Sequence, residues 1–222
     1  MRNYFKQKVL PAVTLSSPDL ACSLAEALLK GGITVLEVTF RTGAAAASIK
    51  KITEEFPELT VGAGTIISPG QITDAMEAGA RFGLAPGLNK NIIQTAQKHD
   101  FPFIPGVMTP SEIEQALEQG CKLLKVFPVK QIGGVEFIRS MEGPYAHTGV
   151  QFIPMGGVHT GNLKDYLTCR SVLAAGGSWL TPGKLVQQKD FRKITEIARA
   201  SVEIAGVGKT AHLNRQSGLY NE

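Results

Sequence analysis

The feature that most constrains this chain is a repeated alternation. Short β-rich runs, eight within 222 residues, alternate with longer stretches of helical spacing. The β-rich runs are Val9–Leu15, Thr34–Phe40, Thr60–Gly64, Phe82–Ala85, Phe101–Ile104, Lys122–Phe127, Gln151–Pro154 and Ser171–Ala175. Helical spacing marks Ala21–Leu29, Ala44–Phe56, Ser68–Ala78, Pro110–Gln119, His159–Leu167 and Phe191–Ile204. Ser68-Pro69 reads as an N-cap followed by proline at the first helical position, and Thr109 with Glu112 as a capping box. Strands that alternate with helices pair in parallel, and eight such units close on themselves. The expected fold is therefore α/β, a single TIM (β/α)8 barrel. An open doubly wound sheet is the runner-up, but no G-x-G-x-x-G follows the first strand and there is no P-loop. Residues 1–207 read as the barrel domain and 208–222 as a polar C-terminal tail.

Composition narrows the function classes. Hydrophobic residues make up 43% and charged residues 19%, a balance that supports one packed core and excludes disorder. The net charge of +4 is spread along the chain without a basic run or interleaved aromatics, which speaks against a nucleic-acid partner. There is no apolar run of membrane-spanning length, and the start, Met1-Arg2-Asn3-Tyr4-Phe5-Lys6, lacks a signal-peptide pattern. The three cysteines, Cys22, Cys121 and Cys169, are far apart and read as reduced thiols, so a cytoplasmic protein is expected. His99, His147, His159 and His212 show no metal-ligand spacing, and neither a metal nor a cofactor is expected.

Two strands carry unexpected charges. In Leu36-Glu37-Val38-Thr39-Phe40-Arg41-Thr42, alternation puts Glu37, Thr39 and Arg41 on one face and Val38 and Phe40 on the other. Charge inside a barrel is costly unless it is paired or used. Glu37 and Arg41 are either a structural pair at the barrel mouth or part of a site. In Lys122-Leu123-Leu124-Lys125-Val126-Phe127-Pro128, the helix-facing positions need apolar residues, and Leu124 and Val126 supply them. Lys125 then points inward, where desolvation disfavours an ammonium and leaves an amine that can attack a ketone. The alternative is a lysine whose stem packs while its head reaches solvent. A third constellation is Met155-Gly156-Gly157 after the seventh run and Gly176-Gly177-Ser178 after the eighth. Those are the places where barrels of this kind hold phosphate on backbone N–H groups. Trp179 reads as a packing residue, and the glycines of 62–65 and 85–87 as strand-end turns or site elements.

The order and spacing of L-E-V-T-F-R-T (36–42), V-G-A-G-T (61–65), A-P-G (85–87), I-P-G (104–106), K-V-F-P (125–128), G-G-V (156–158) and G-G-S-W-L (176–180) resemble the 2-keto-3-deoxy-6-phosphogluconate (KDPG) and 4-hydroxy-2-oxoglutarate (KHG) aldolase family over about Val9 to Ala205. The resemblance implies a homotrimeric TIM barrel acting on a small phosphorylated 2-keto acid and on pyruvate. It implies Lys125 as the Schiff-base lysine and Glu37 as general acid/base. It further implies Arg41 and Thr65 on the pyruvate carboxylate, Pro86 and Phe127 shaping the pocket, and Gly156, Gly157, Gly176, Gly177 and Ser178 on phosphate. Two places depart from the family. The first strand reads Leu10-Pro11-Ala12-Val13-Thr14-Leu15 instead of a Pro-Val-Ile-like run, which leaves the mouth at strand one unassigned. Met155 stands where many members have threonine, which touches substrate recognition and brings in the C4-epimeric phosphogalactonate as an alternative substrate. A phosphosugar isomerase on the same barrel, or a non-catalytic phosphosugar binder, would share the phosphate loops without needing an inward Lys125.

Overall fold

Side chains on a strand alternate between two faces, and the burial here follows that rule into two separate apolar clusters. The computed structural model describes residues 1–206. One sheet runs in the order β5 (Phe103–Ile104), β4 (Phe82–Leu84), β3 (Thr60–Gly64), β2 (Val35–Thr39), β1 (Val9–Val13), β9 (Ala175–Gly177). The second is β6 (Gly106–Val107), β7 (Leu123–Val126), β8 (Gln151–Pro154). All pairings are parallel. Leu36 and Val38 of β2, Val61 and Ala63 of β3, and Leu124 and Val126 of β7 belong to the larger cluster, packed against the helices. Leu10, Val35, Phe82, Leu84, Ile104, Ile153 and Met155 form the smaller cluster on the opposite face. The N-terminal turn Arg2–Phe5 closes one side of it: Phe5 meets Phe82 edge-on at 5.6 Å and Tyr4 stacks on Phe82 at 5.8 Å. Aromatic pairs of this kind contribute about 0.5–1.5 kcal/mol beyond the area they bury.

The expectation of a single closed eight-stranded TIM barrel is not met. The ladder falls into six strands and three. The fifth expected strand, Phe101–Ile104, is instead the short β5 followed by β6, and the residue between them is Pro105, which has no N–H for a ladder. The eighth starts at Ala175 and not at Ser171; Val172 and Gly176 meet β8 and its next residue only through isolated bridges, Phe152↔Val172 and Met155↔Gly176.

Nine α-helices connect these strands among the described residues: α1 (Ala21–Lys30), α2 (Ala45–Glu55), α3 (Gly70–Glu77), α4 (Lys90–Lys98), α5 (Pro110–Glu118), α6 (Val135–Tyr145), α7 (Leu163–Leu167), α8 (Gly183–Gln187) and α9 (Phe191–Ile204). The capping box on α5 is formed as expected, with Thr109 Oγ1 accepting from Glu112 N and the Glu112 carboxylate accepting from Thr109 N. Ser68 does not cap α3. Pro69 holds the N-cap position, and Gln71 Oε1 accepts from Ile67 N and Ser68 N. The expected helix at His159 starts only at Leu163, because His159–Asn162 is a turn in which Asn162 Oδ1 accepts from His159 N and His159 Nδ1 from Gly161 N. Trp179 packs as expected, donating from Nε1 to Ser201 Oγ at 3.3 Å. No helix among the described residues is long and apolar enough to cross a membrane. The C-terminal tail expected over 208–222, and His212 within it, lie outside the described residues.

Candidate active site

Glu37 lies at the middle of β2 and Lys125 near the end of β7, so the two charged residues come from different sheets. Both are buried, at 1% and 4% exposure, and Lys125 Nζ stands 3.6 Å from Glu37 Oε1. The partner of Glu37 is thus Lys125 and not Arg41. Lys125 does not reach solvent. Its Nζ lies 5.3 Å from the centroid of the Phe127 ring, two residues along the same face. Glu37 Oε2 is buried without a hydrogen-bond partner. A buried carboxylate oxygen with nothing to accept from costs free energy, and a catalytic role is one reason for a protein to keep such a group.

The neighbouring strand makes room for the carboxylate. β2 pairs with β3 so that Glu37 faces Gly62 and Thr39 faces Gly64. A Cβ built at Gly64 would fall onto Glu37 Oε1, so the carboxyl group occupies the space that any other residue would fill. Gly106 plays the same part between the sheets, because a Cβ there would run into the backbone carbonyl of Pro86.

Lys125 and Glu37 form the floor of a cleft of about 390 Å³. Arg41, Phe127, Met155, Gly156, Gly157, Gly177 and Ser178 line it with them. Gly156 and Gly157 have φ of +87° and +93°, a backbone that L side chains rarely adopt, and Lys130 N donates to Gly156 O at 3.0 Å to pin the turn. Met155 is 3% exposed and offers the cleft a thioether. Three residues expected in the site, Thr65, Pro86 and Gly176, are not among those that line the cleft and lie behind residues that do or beside them. Thr65, at φ +57°, accepts from Arg41 Nε at 3.2 Å and so aims the guanidinium. Pro86 backs Gly106, and Gly176 lies beneath Met155.

The cleft also holds residues that the sequence reading left out of the site. Thr14 and Thr39 line it, hydrogen-bonded to each other at 2.7 Å, and Thr181 does so while donating to Ala12 O at 3.1 Å. Thr39 could have been found by its shared face with Glu37. Thr14 and Thr181 carry no local signal. No group of three or more His, Cys, Asp or Glu able to hold a metal occurs among the described residues. His99, His147 and His159 are exposed.

Such a cleft fits an enzyme of the parallel β/α class, with a buried lysine and glutamate side by side within it. Comparison with known proteins gives the family. The KDPG and KHG aldolase family matches residues 2–197. The KHG/KDPG aldolase of Escherichia coli (strain K12) is 40% identical over 195 residues, which is 88% of this chain and 91% of the relative. The 2-dehydro-3-deoxy-phosphogluconate aldolase of Treponema pallidum (strain Nichols) is 40% identical over 200 residues, covering 90% and 94%. Among solved structures, KDPG aldolase from Legionella pneumophila, with pyruvate captured at low pH as a covalent carbinolamine intermediate, superposes with a TM-score of 0.85 at 36% identity, covering 89% of this chain and 95% of that one. The chain belongs to the KDPG and KHG aldolase family.

Proposed function

We propose that the protein is a class I aldolase that reversibly cleaves 2-keto-3-deoxy-6-phosphogluconate to pyruvate and glyceraldehyde 3-phosphate, and 4-hydroxy-2-oxoglutarate to pyruvate and glyoxylate. The observation that carries this reading is the buried Lys125–Glu37 pair at 3.6 Å on the floor of the cleft. The Lys125 amine attacks the C2 ketone, and the carbinolamine loses water to give an iminium. Glu37, through a water, takes the proton of the C4 hydroxyl. The C3–C4 electron pair then moves toward the iminium nitrogen, the aldehyde leaves, and an enamine of pyruvate remains. Returning a proton to C3 regenerates the iminium, and water hydrolyses it to free pyruvate and Lys125. The unpartnered Glu37 Oε2 suits a proton carrier, since a water or substrate hydroxyl can meet it.

Arg41, aimed by Thr65, holds the pyruvate carboxylate. Phe127 and Pro86 shape the pocket around the ketone. Backbone N–H groups of Gly156, Gly157, Gly176, Gly177 and Ser178 hold the phosphate. Met155 favours a second reading of the substrate: with no hydrogen bond to offer a hydroxyl at its position, the site also accepts the C4 epimer, the phosphogalactonate form. The enzyme works as a homotrimer in the cytoplasm. The free cysteines suit a reducing compartment, and the exposed Ile67 and Met108, on loops after β3 and β6, suit burial against another subunit. Light scattering on the purified protein reads the oligomeric state.

The test of the chemistry is reduction with borohydride in the presence of pyruvate, followed by mass measurement and peptide mapping. One adduct, on Lys125, is expected, and Lys125→Ala should take none and lose turnover. An adduct on Lys122 or Lys130, or none, overturns the assignment.

A further inference from the structure

The cleft carries a hydroxyl pair to which burial gives a direction. The register of β1 on β2 matches Ala12 to Glu37 and Val13 to Val38, and one step further sets Thr14 beside Thr39. Their Oγ1 atoms are 2.7 Å apart, and either can be the donor by distance alone. Burial decides between them. Thr39 is 2% exposed, and its hydroxyl has no other hydrogen bond, whereas Thr14 is exposed to the cleft. If Thr39 only accepted, its own proton would be left unsatisfied in the interior, a loss of about 1–3 kcal/mol. If Thr39 donates, both groups are satisfied, and the Thr14 O–H is turned out into the cleft. Accepting from Thr39 also strengthens Thr14 as a donor.

From this arrangement we infer that Thr14, oriented by Thr39, donates a hydrogen bond to an oxygen on the aldehyde-derived half of the substrate and selects aldehydes that carry it. The inference rests on the Schiff-base reading above, because that reading sets where the substrate begins. Glu37 and Thr39 lie on one face of β2, two residues apart, so the threonine layer stands about 7 Å along the strand from the carboxylate layer. A carbon chain fixed at its keto carbon by Lys125 and running outward along the cleft brings its distal substituents past that layer. The C2 hydroxyl of glyceraldehyde 3-phosphate, which becomes the C5 hydroxyl of the six-carbon product, is such a substituent. Thr14 is the binding residue in this scheme and Thr39 a positioning residue that acts through it.

The experiment is condensation of pyruvate with two aldehydes, glyceraldehyde 3-phosphate and the same aldehyde lacking its C2 hydroxyl. Both are run on the natural protein, Thr14→Val, Thr14→Ser and Thr39→Val. The natural protein should prefer the hydroxylated aldehyde in kcat/KM by about three- to tenfold, the range for one exposed hydrogen bond. Thr14→Val should bring that ratio to near one, Thr14→Ser should keep it, and Thr39→Val should lower it. A merely structural role for Thr39 would change stability or turnover on both aldehydes alike and leave the ratio untouched. Borohydride trapping of pyruvate in the natural protein is measured alongside, since it reads Lys125 alone. Absence of trapping overturns the Schiff-base reading. Normal trapping with an aldehyde preference that Thr14→Val leaves unchanged overturns the inference about Thr14.

Discussion

Replacing Gly64 by alanine tests the geometry of the Lys125–Glu37 pair without replacing either residue. The added methyl would occupy the position of Glu37 Oε1, so the carboxylate must leave its place beside Lys125. Gly64 does not need a positive φ, and the backbone tolerates alanine, so the effect is steric. Overpacking a buried site costs about 1–3 kcal/mol. For a chain of this size each kcal/mol lowers Tm by about 2–4 °C, so a fall of about 2–12 °C is expected. Turnover should fall further than stability does, because the displaced carboxylate no longer reaches the substrate proton. Loss of a positioned acid/base costs about 10²–10⁴-fold. The assay is a thermal melt beside single-substrate cleavage rates on folded protein, with Gly70→Ala as the control, since a Cβ at Gly70 meets nothing within 4 Å. A Gly64→Ala protein with Tm and turnover both matching the natural enzyme refutes the packing argument. One that melts early yet keeps full turnover refutes the role of Glu37.

Other outcomes follow from single residues. Glu37→Gln keeps the shape but not the proton affinity, and turnover should drop about 10²–10⁴-fold with a smaller change in pyruvate binding; near-normal turnover in folded protein would make Glu37 a structural partner of Lys125. Met155→Thr adds a hydroxyl at the cleft wall and should sharpen discrimination between the two C4 epimers, read as the ratio of their kcat/KM values; a natural protein that is already selective, with a ratio unmoved by the substitution, rules Met155 out as a determinant. Burial, helped by the neighbouring Glu55 carboxylate, pushes the Cys22 thiol up to about 11. At pH 8 the thiolate is then about a thousandth of the population, and alkylation of Cys22 should be slow and quicken as pH rises; rapid labelling at pH 8 contradicts this.

Strand alternation made Glu37 and Lys125 legible in the sequence, because Leu36, Val38, Leu124 and Val126 claim the helix-facing side and leave the charged residues only the other. It could not reveal that they pair with each other, since that depends on two sheets meeting. The same limit hid the Thr14–Thr39 pair, which depends on two strands meeting, and Thr181, which reaches Ala12 O of β1 from the loop after β9. Two helices gave weak local signals. α4 has only Ile92, Ile93 and Ala96 buried and depends on Asn89 Oδ1 accepting from Asn91 N and Ile92 N. α6 contains Gly143-Pro144 near its end, a dipeptide that reads as a turn. The barrel expectation failed at Pro105 for a related reason. Proline reads as a weakness within one strand, but whether the ladder continues past it is decided by the neighbours.

That break has a bearing on how the enzyme can vary. Lys125 belongs to the three-stranded sheet and Glu37 to the six-stranded one, so the distance between them is the relative seating of two separately laddered bodies. Part of that seating is a backbone-on-backbone joint, with Gly106 of one body lodged against the Pro86 carbonyl of the other. A substitution at such a joint can retune the reaction without touching the substrate. Evolution and engineering therefore have a second set of controls over this chemistry, outside the cleft and silent in any survey of residues that contact the ligand.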